Sequence, residues 1–457
     1  MTTIINTKLG ETKGRKRVYL EGRKLAREGI EVGQRYDIEI KKSQAILTLK
    51  DTGRYTVSRR QRGGAVLPVI DCTADEIAQI FEGSQCLRIL VKTGVIIITA
   101  HHQTQRVNER VNRFLEKVAA QKPLDTVSLF HGGGILDAAV HEGLSLVGIP
   151  ARLAVAVEIE PKYLEASLAN NPIWDEYSIA IEGGVEAVNL RKAPLQADLL
   201  VAGIPCTGAS KSGRTANKLL FAESHDKAGM MFFQTLQFIE AVNPAIVLLE
   251  NVKEYMNTAS MAVIRSVLAS LGYRIEERVF CGNEFGALER RERLCVLAVS
   301  HGLAAVDLDE VTPMTTKPTA LDDVLEQLPE DSSRWKDYRY IALKAERDAA
   351  AGKGFKTQLL TGSESHCGTI GRGYNKVRST EPRIQHPTKP EKSRLLTARE
   401  HAKVKSVPQR LIADLPETTA HEILGQAVIY PVFVAIAKHL GQVLALLQDN
   451  KPLAQAA

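Results

Sequence analysis

From Thr126 to Ser300, short apolar runs alternate with segments of helical periodicity, and this alternation restricts the fold more than any other property of the chain. Runs at Thr126–Phe130, Ala154–Ile159, Asp198–Ala202, Ala245–Leu249, Arg274–Phe280 and Leu294–Ser300 have the length of buried strands. Between them lie helical patterns through Ala138–Leu146, Lys162–Ala169, Ala228–Val242 and Ser260–Leu271. Strand–helix units of this pitch build an α/β fold around a doubly wound, mainly parallel sheet. Ligands on such sheets sit at the carboxyl ends of the strands.

The flanks read differently. Residues 1–100 carry short, β-branched or alternating runs at Arg17–Leu20, Arg35–Ile40, Ala45–Lys50, Tyr55–Ser58 and Leu87–Thr99, which predict a mainly β domain. A polar helix over His101–Gln121 carries Val107, Val111, Phe114, Leu115 and Val118 at helical spacing and ends at Lys122–Pro123. The expected organisation is therefore an N-terminal domain (1–100), a linker helix (101–122) and a catalytic domain (123–300 with 394–450). A loop-rich insert (301–393) interrupts the last of these. Regular helical spacing returns at Leu395–Val404 and Ile423–Leu447.

Charge is divided unevenly. Residues 1–122 hold 23 Lys+Arg against 13 Asp+Glu, whereas the remainder holds 36 against 40. Within that remainder, residues 351–410 hold 13 basic and 4 acidic residues. Two basic blocks around a near-neutral body suit a polyanion held at two places, with plain solubility charge as the competing explanation for either alone. No apolar run reaches the roughly 18 residues of a membrane span, and the N-terminus lacks an apolar signal core. Six cysteines without a CxxC pair argue against zinc or a disulfide framework and fit a reducing cytoplasm.

Four strand ends carry the chemistry. SLFHGGGILDAAV places Phe130, Gly132 and Gly134 between a strand and a helix, where glycine admits a nucleotide-like ligand close to the backbone. Alone it is a weak signal, since plain turns use the same residues. Glu158 ends the next strand, 24 residues after Gly134, with Ile159 beyond it. An acid there accepts hydrogen bonds from ribose hydroxyls; otherwise it is a solvated carboxylate. LLVAGIPCTGAS delivers Pro205–Cys206 into a polar loop. That setting suits a nucleophilic thiolate better than a buried structural cysteine. AIVLLENV ends in Glu250–Asn251, an acid able to donate a proton to a ring. EFGALERRERLCVLAV brings Arg291 and Arg293 two residues apart, on one side if extended, as a clamp for a base oxygen or phosphate.

In this order the motifs resemble those of the DNA (cytosine-5)-methyltransferase family, from about Thr126 to Leu447. FHGGG is similar to the cofactor loop, Glu158 to the ribose-binding acid, Pro205–Cys206 to the nucleophile motif and Glu250–Asn251–Val252 to the ENV motif. Glu289–Arg293 resembles QxRxR, and Arg394–Pro408 the segment that orients target recognition. LGQAVIYPVFVAIAKHL resembles the last motif, with Gln426, Ala427 and Val428 returning to the cofactor pocket.

The resemblance implies a Rossmann-like fold, S-adenosylmethionine as cofactor and duplex DNA as substrate. The target cytosine is flipped out. Cys206 adds to carbon 6, Glu250 acts at ring nitrogen 3, Arg293 holds O2, and Arg291 supports the loop or the cofactor side. Glu289 departs from the family's Gln, Gln426 from its Asn, and Thr207 from the Gln after Pro-Cys; EGGV at 182–185 lacks the adenine-binding Asp. The insert 301–393 corresponds to the target-recognition region, with Arg372, Tyr374, Lys376 and Arg378 as candidate DNA contacts.

The N-terminal segment weakly resembles AbrB-like swapped-hairpin modules. DNA attachment through Arg15, Lys16 and Arg17 is the first reading and homodimerisation the second. Two rival readings remain: a DNA-binding regulator with a vestigial methyltransferase body, and a tRNA cytosine-5-methyltransferase. A prokaryotic, phage or mobile-element protein of the cytoplasm is expected, with or without a partner nuclease.

Overall fold

The computed structural model describes residues 2–41, 44–73, 77, 80–81, 86–190, 195–205, 229–352 and 357–449. The chain divides into two compact units, 1–109 and 110–457.

The first unit packs two antiparallel sheets over one core. Its elements are β1 (Thr3–Lys8), β2 (Gly10–Thr12), β3 (Arg15–Glu21), α1 (Arg23–Arg27), β4 (Arg35–Lys41), β5 (Gln44–Leu49), β6 (Tyr55–Thr56), β7 (Ser58–Arg62), β8 (Ala65–Cys72), β9 (Cys86–Lys92) and β10 (Val95–Ala100). One sheet has the order β1-β9-β10-β5-β4-β6 and the other β2-β3-β8-β7. The period of two decides which side chains go in. Leu87, Ile89 and Val91 of β9 point inward to Val18, Leu20, Ile70 and Cys72, while Arg88 stays exposed. The run Leu87–Thr99, expected as one strand, is a hairpin of β9 and β10 turning at Thr93–Gly94, where Gly94 has φ +77°.

Helix α2 (His102–Ala119) runs across the division, which falls at Glu109/Arg110 inside the helix and not at Lys122–Pro123. From Arg110 onward it is part of the second unit. Arg110 is buried; its Nε donates to Ser300 Oγ at 2.7 Å, its Nη2 to the carbonyls of Leu271 and Gly272, and its guanidinium lies 3.7 Å from the Tyr273 ring centroid. Arg113 pairs with Asp198 at 3.0 Å, and Lys117 with Asp125 and Asp198 at 2.6 and 2.5 Å. Both aspartates sit at the amino ends of sheet strands, so these ion pairs fasten the helix to the edge opposite the ligand-binding ends.

The second unit is built on β11 (Leu124–Leu129), α3 (Ile135–Ser145), β12 (Ala151–Glu158), α4 (Pro161–Asn170), β13 (Ile179–Glu182), β14 (Leu199–Gly203), α5 (Met231–Val242), β15 (Ile246–Val252), α6 (Ala259–Ser270), β16 (Tyr273–Cys281) and β17 (Glu292–Ser300). The seven strands lie in the order β13-β12-β11-β14-β15-β17-β16. All pairings are parallel except those of β17, which runs antiparallel to β15 and β16. The mainly parallel doubly wound sheet is thus the observed one. Its central strands are apolar on both faces, as helices on both sides require.

The insert holds more order than a loop-rich reading suggests. It contributes β18 (Lys336–Asp337), α7 (Arg339–Ala350), β19 (Gln358–Leu360), β20 (Pro382–Gln385) and β21 (Lys392–Arg394), the strands forming a small four-stranded sheet. Helix α8 (Ala398–Val404) follows, opened by a capping box between Thr397 and Glu400. The helix expected over Ile423–Leu447 is two, α9 (Glu417–Gln426) and α10 (Tyr430–Asp449), meeting at 47°. Ala427 is extended at the break, and Pro431 fits only the first turn of α10. Helix α10 lies against α3 so closely that a Cβ on Gly143 would stand 2.4 Å from the Val434 carbonyl. Ile423 of α9 lies against the first strand–helix turn, where a Cβ on Gly133 would stand 2.5 Å from its Cγ2.

Candidate active site

The turn after β11 is held by polar groups buried beneath it. Phe130 and Gly132 both have positive φ, +57° and +59°, and Gly134 at φ +70° caps α3. A left-handed phenylalanine is costly, and such strain persists only where neighbours over-determine it. His131 supplies much of that constraint. Its Nδ1 lies 2.9 Å from both Ser128 Oγ and Asp137 Oδ2, and its Nε2 2.8 Å from Ser167 Oγ. Asn171 Nδ2 donates to the Gly134 carbonyl at 2.9 Å. A Cβ on Gly134 would lie 2.5–2.7 Å from Asn171, Ser167 and His131 atoms, so only glycine fits.

Glu158 ends β12 beside this turn. Its Oε2 accepts the Gly132 N–H at 2.6 Å and its Oε1 the Glu160 N–H at 2.8 Å. A carboxylate has about four acceptor sites, so capacity remains for a diol. Ile159 next to it presents an apolar side chain that is 68% exposed. A strained glycine turn, a carboxylate tied to it and an open apolar side chain fit an adenosine-type ligand. The structure brings Phe130, Gly132, Gly134, Glu158 and Ile159 together at the neighbouring ends of β11 and β12. His131, Asp137, Ser167 and Asn171 were not singled out from sequence. The available signal was a pair of polar residues, Thr126 and Ser128, within a buried strand.

At the sheet centre, β14 leads to Ile204 and Pro205; Cys206 lies outside the described residues. Asn251 is buried and pins this approach, its Nδ2 donating to the Ile204 carbonyl at 3.1 Å and its Oδ1 accepting the Val252 N–H. Glu250 faces Gly203 in the parallel register of β15 and β14. Its Oε1 is 3.0 Å from Arg293 Nε. Burial raises the Glu250 carboxyl above its ordinary value, and Arg293, Arg291 and Lys405 pull it part of the way back. Burial likewise pushes up the thiols of Cys72, to about 11, and of Cys295 and Cys367.

The two arginines part company. Arg293 turns to Glu250, whereas buried Arg291 spreads over backbone carbonyls: Ile370 at 3.2 Å, Gly425 at 3.2 Å and Gln426 at 3.4 Å. Arg291 thus supports the return segment Gln426–Ala427–Val428, of which Val428 is buried and Gln426 exposed.

The recognition candidates divide. Tyr374 is fully buried; its hydroxyl donates to the Pro382 carbonyl at 2.7 Å and accepts the Leu396 N–H at 2.9 Å. It is a core residue of the insert and, contrary to expectation, presents no surface to DNA. Arg372 lies 3.6 Å from Glu160 and 5.5 Å from the Tyr163 ring centroid, on the Glu158 side of the site. Lys376 and Arg378 are exposed. In the first unit Arg15 and Lys16 are exposed, while Arg17 makes two 2.7 Å hydrogen bonds to Asp71.

Residues 124–442 match the profile of the C-5 cytosine-specific DNA methylases. The chain belongs to this family. The methylase is 31% identical over 263 residues to the Type II methyltransferase M.NlaX of Neisseria lactamica, covering 56% of this chain and 79% of that one. With M.Eco47II of Escherichia coli it shares 26% over 346 residues, 70% and 79% of the two chains. The crystal structure of S. pombe Dnmt2 methyltransferase has the same fold, with a TM-score of 0.56 and 20% identity over 71% of this chain and 99% of that one. The methylase is a DNA cytosine-5-methyltransferase. Its family and fold imply S-adenosylmethionine as methyl donor and duplex DNA as substrate.

Proposed function

We propose that the methylase works through a covalent bond between Cys206 and carbon 6 of a cytosine flipped from duplex DNA. The observation that carries this reading is the Glu250–Arg293 pair at the strand end beside Gly203, three residues before Cys206. The Cys206 thiolate adds to carbon 6 while Glu250, whose raised pKa favours the protonated form, gives its proton to ring nitrogen 3. Arg293 holds both Glu250 and the cytosine O2. S-Adenosylmethionine supplies an electrophilic methyl group to carbon 5. It is held by Phe130, Gly132, Gly134, Glu158, Ile159, Pro205, Gln426, Ala427 and Val428. The carbon 5 proton then leaves to a base, nitrogen 3 returns its proton to Glu250, and the carbon–sulfur bond breaks to release Cys206.

The first unit is read as a DNA-attachment module. Arg15 and Lys16 on β3 share a sheet with the wholly exposed β7, which carries Arg59, Arg60 and Arg62. Two basic hairpins side by side suit a phosphate backbone; homodimerisation is the second reading. Relatives from bacteria and from Bacillus phage SPR support a prokaryotic or phage cytoplasmic setting.

The test is methyl transfer from labelled S-adenosylmethionine to unmethylated duplex DNA and to structured RNA, wild type beside Cys206→Ser. Label on cytosine carbon 5 of DNA in wild type alone is expected. Label on RNA only would move the substrate to tRNA. Tight DNA binding with no label would favour a regulator.

A further inference from the structure

Glu289 and Lys405 are both wholly buried, with Lys405 Nζ 2.9 Å from Glu289 Oε2. Glu289 stands where the family usually carries a neutral Gln, so its negative charge is a departure of this chain. The two residues come from separate motifs, and their backbones are joined as well. The N–H groups of Leu288 and Glu289 both donate to the Val404 carbonyl at 2.9 Å. Glu289 Oε1 accepts the Ile370 N–H at 3.0 Å and lies 3.4 Å from Arg291 Nη1. Lys405 Nζ reaches the Ala427 carbonyl at 3.3 Å. One ion pair thereby joins the arginine segment, the end of α8, the insert at Ile370 and the return segment 425–427.

Isolated buried ion pairs seldom add stability, because desolvating two charges offsets their attraction. A neutral pair of similar size would fill this space equally well. What the charges do add is direction. Glu289 draws Arg291 from one side while the carbonyls of Gly425 and Gln426 draw it from the other. Arg291 is two residues from Arg293, which grips Glu250. We propose that Glu289 and Lys405 are a positioning pair for methyl transfer: they fix Arg291 against the cofactor-side carbonyls and, through the start of β17, set Arg293 on Glu250. This rests on the reading of Glu250 and Arg293 given above.

The groups acting on Lys405 and its surroundings are Glu289, Arg291 and Arg293 on the arginine segment and β17, Glu250 on β15, His401 on α8 and Cys367 of the insert. Burial and Arg291 pull the Lys405 ammonium down, to about 7, against the pull of Glu289. The pair is thus intact below neutrality and weakens as pH rises.

The experiment compares wild type, Glu289→Gln, Lys405→Met and the double variant Glu289→Gln/Lys405→Met, with Lys405→Arg as the charge-retaining control. Thermal midpoint, affinity for S-adenosylhomocysteine and single-turnover methyl transfer are followed from pH 6 to 9. The double variant is expected to melt near wild type yet transfer methyl at least tenfold more slowly, with its alkaline limb displaced from that of wild type. Lys405→Arg should keep the rate within threefold. A double variant with the rate and pH profile of wild type would overturn the proposal, since the pair would then be filler. If the double variant does not fold, Glu289→Gln decides: an unchanged rate and alkaline limb overturns the proposal, and a slowed rate with a displaced limb supports it. A wild-type protein that binds S-adenosylhomocysteine but transfers no methyl would overturn the underlying reading instead.

Discussion

Replacing Glu158 by glutamine keeps the size of the side chain but turns one of its two acceptor oxygens into a donor. In the native site each oxygen is occupied, by the Gly132 N–H at 2.6 Å and the Glu160 N–H at 2.8 Å. The amide must therefore turn its NH2 toward one of two N–H donors, leaving that donor unpaired at a cost of about 1–3 kcal/mol. The same change removes a charge-assisted bond to a ribose hydroxyl, worth about 1.5–3 kcal/mol. At 1.4 kcal/mol per decade, S-adenosylhomocysteine should bind roughly tenfold to a hundredfold more weakly. Calorimetric titration of wild type and Glu158→Gln, with melting curves for both, measures the two losses separately. A Gln variant that binds the ligand within threefold of wild type would refute the argument, because no arrangement of an amide satisfies both backbone donors and a diol.

Three further perturbations probe other levels of the structure. Glu250→Gln preserves shape and removes the transferable proton, so the rate should fall by about 10²–10⁴ with DNA affinity retained; single-turnover transfer beside a gel-shift titration separates the two. Tyr374→Phe orphans the Leu396 N–H and the Pro382 carbonyl, and should lower stability by about 2 kcal/mol in urea unfolding while leaving the rate per folded molecule unchanged. Burial lowers the folded-state pKa of His421 to about 4, below its unfolded value, and also holds that of buried His401 well below the ordinary value. The unfolded chain then takes up protons that the folded chain refuses. Stability should be full above about pH 6.5 and fall as pH drops toward 4, by up to about 2 kcal/mol from pH 7 to 5 for His421 alone. Unfolding curves at both pH values, with His421→Asn flattening the difference, check this.

The sequence revealed the sheet where burial leaves a one-dimensional trace. Leu199–Ala202 and Ile246–Leu249 are continuous apolar runs because helices cover both their faces, and such runs are visible without a structure. Strand β13 escaped notice because it is an edge strand with mostly exposed side chains, so neither period nor hydrophobicity marks it. Strand β8 escaped because Pro68 interrupts its pattern. At the site, strand-end residues were legible, since a chemical group after an apolar run is itself the signal. The supports were not. His131 meets Ser167 across 36 residues, Arg17 meets Asp71 across 54, and Lys405 meets Glu289 across more than a hundred. Tyr374 shows the opposite failure: an aromatic within a basic segment resembles a base contact, and only the fold shows that it lies inside.

The insert does not end where its sequence pattern ends. Leu288, ahead of β17, shares an apolar cluster with Leu321, Cys367, Ile370, Tyr374, Ile384, Leu396 and Val404, and Cys367 exchanges backbone hydrogen bonds with Leu288 and Arg290. Exchanging the insert between relatives by cutting at residues 301 and 393 would divide a single core and strand Leu288 and Val404 against foreign partners. A graft that carries residues 288–405 as one piece keeps that core and the Glu289–Lys405 pair whole, but it also transplants Arg291 and Arg293. On the reading of the insert as the target-recognition region, the choice of target sequence and the geometry of the proposed reacting centre are inherited together.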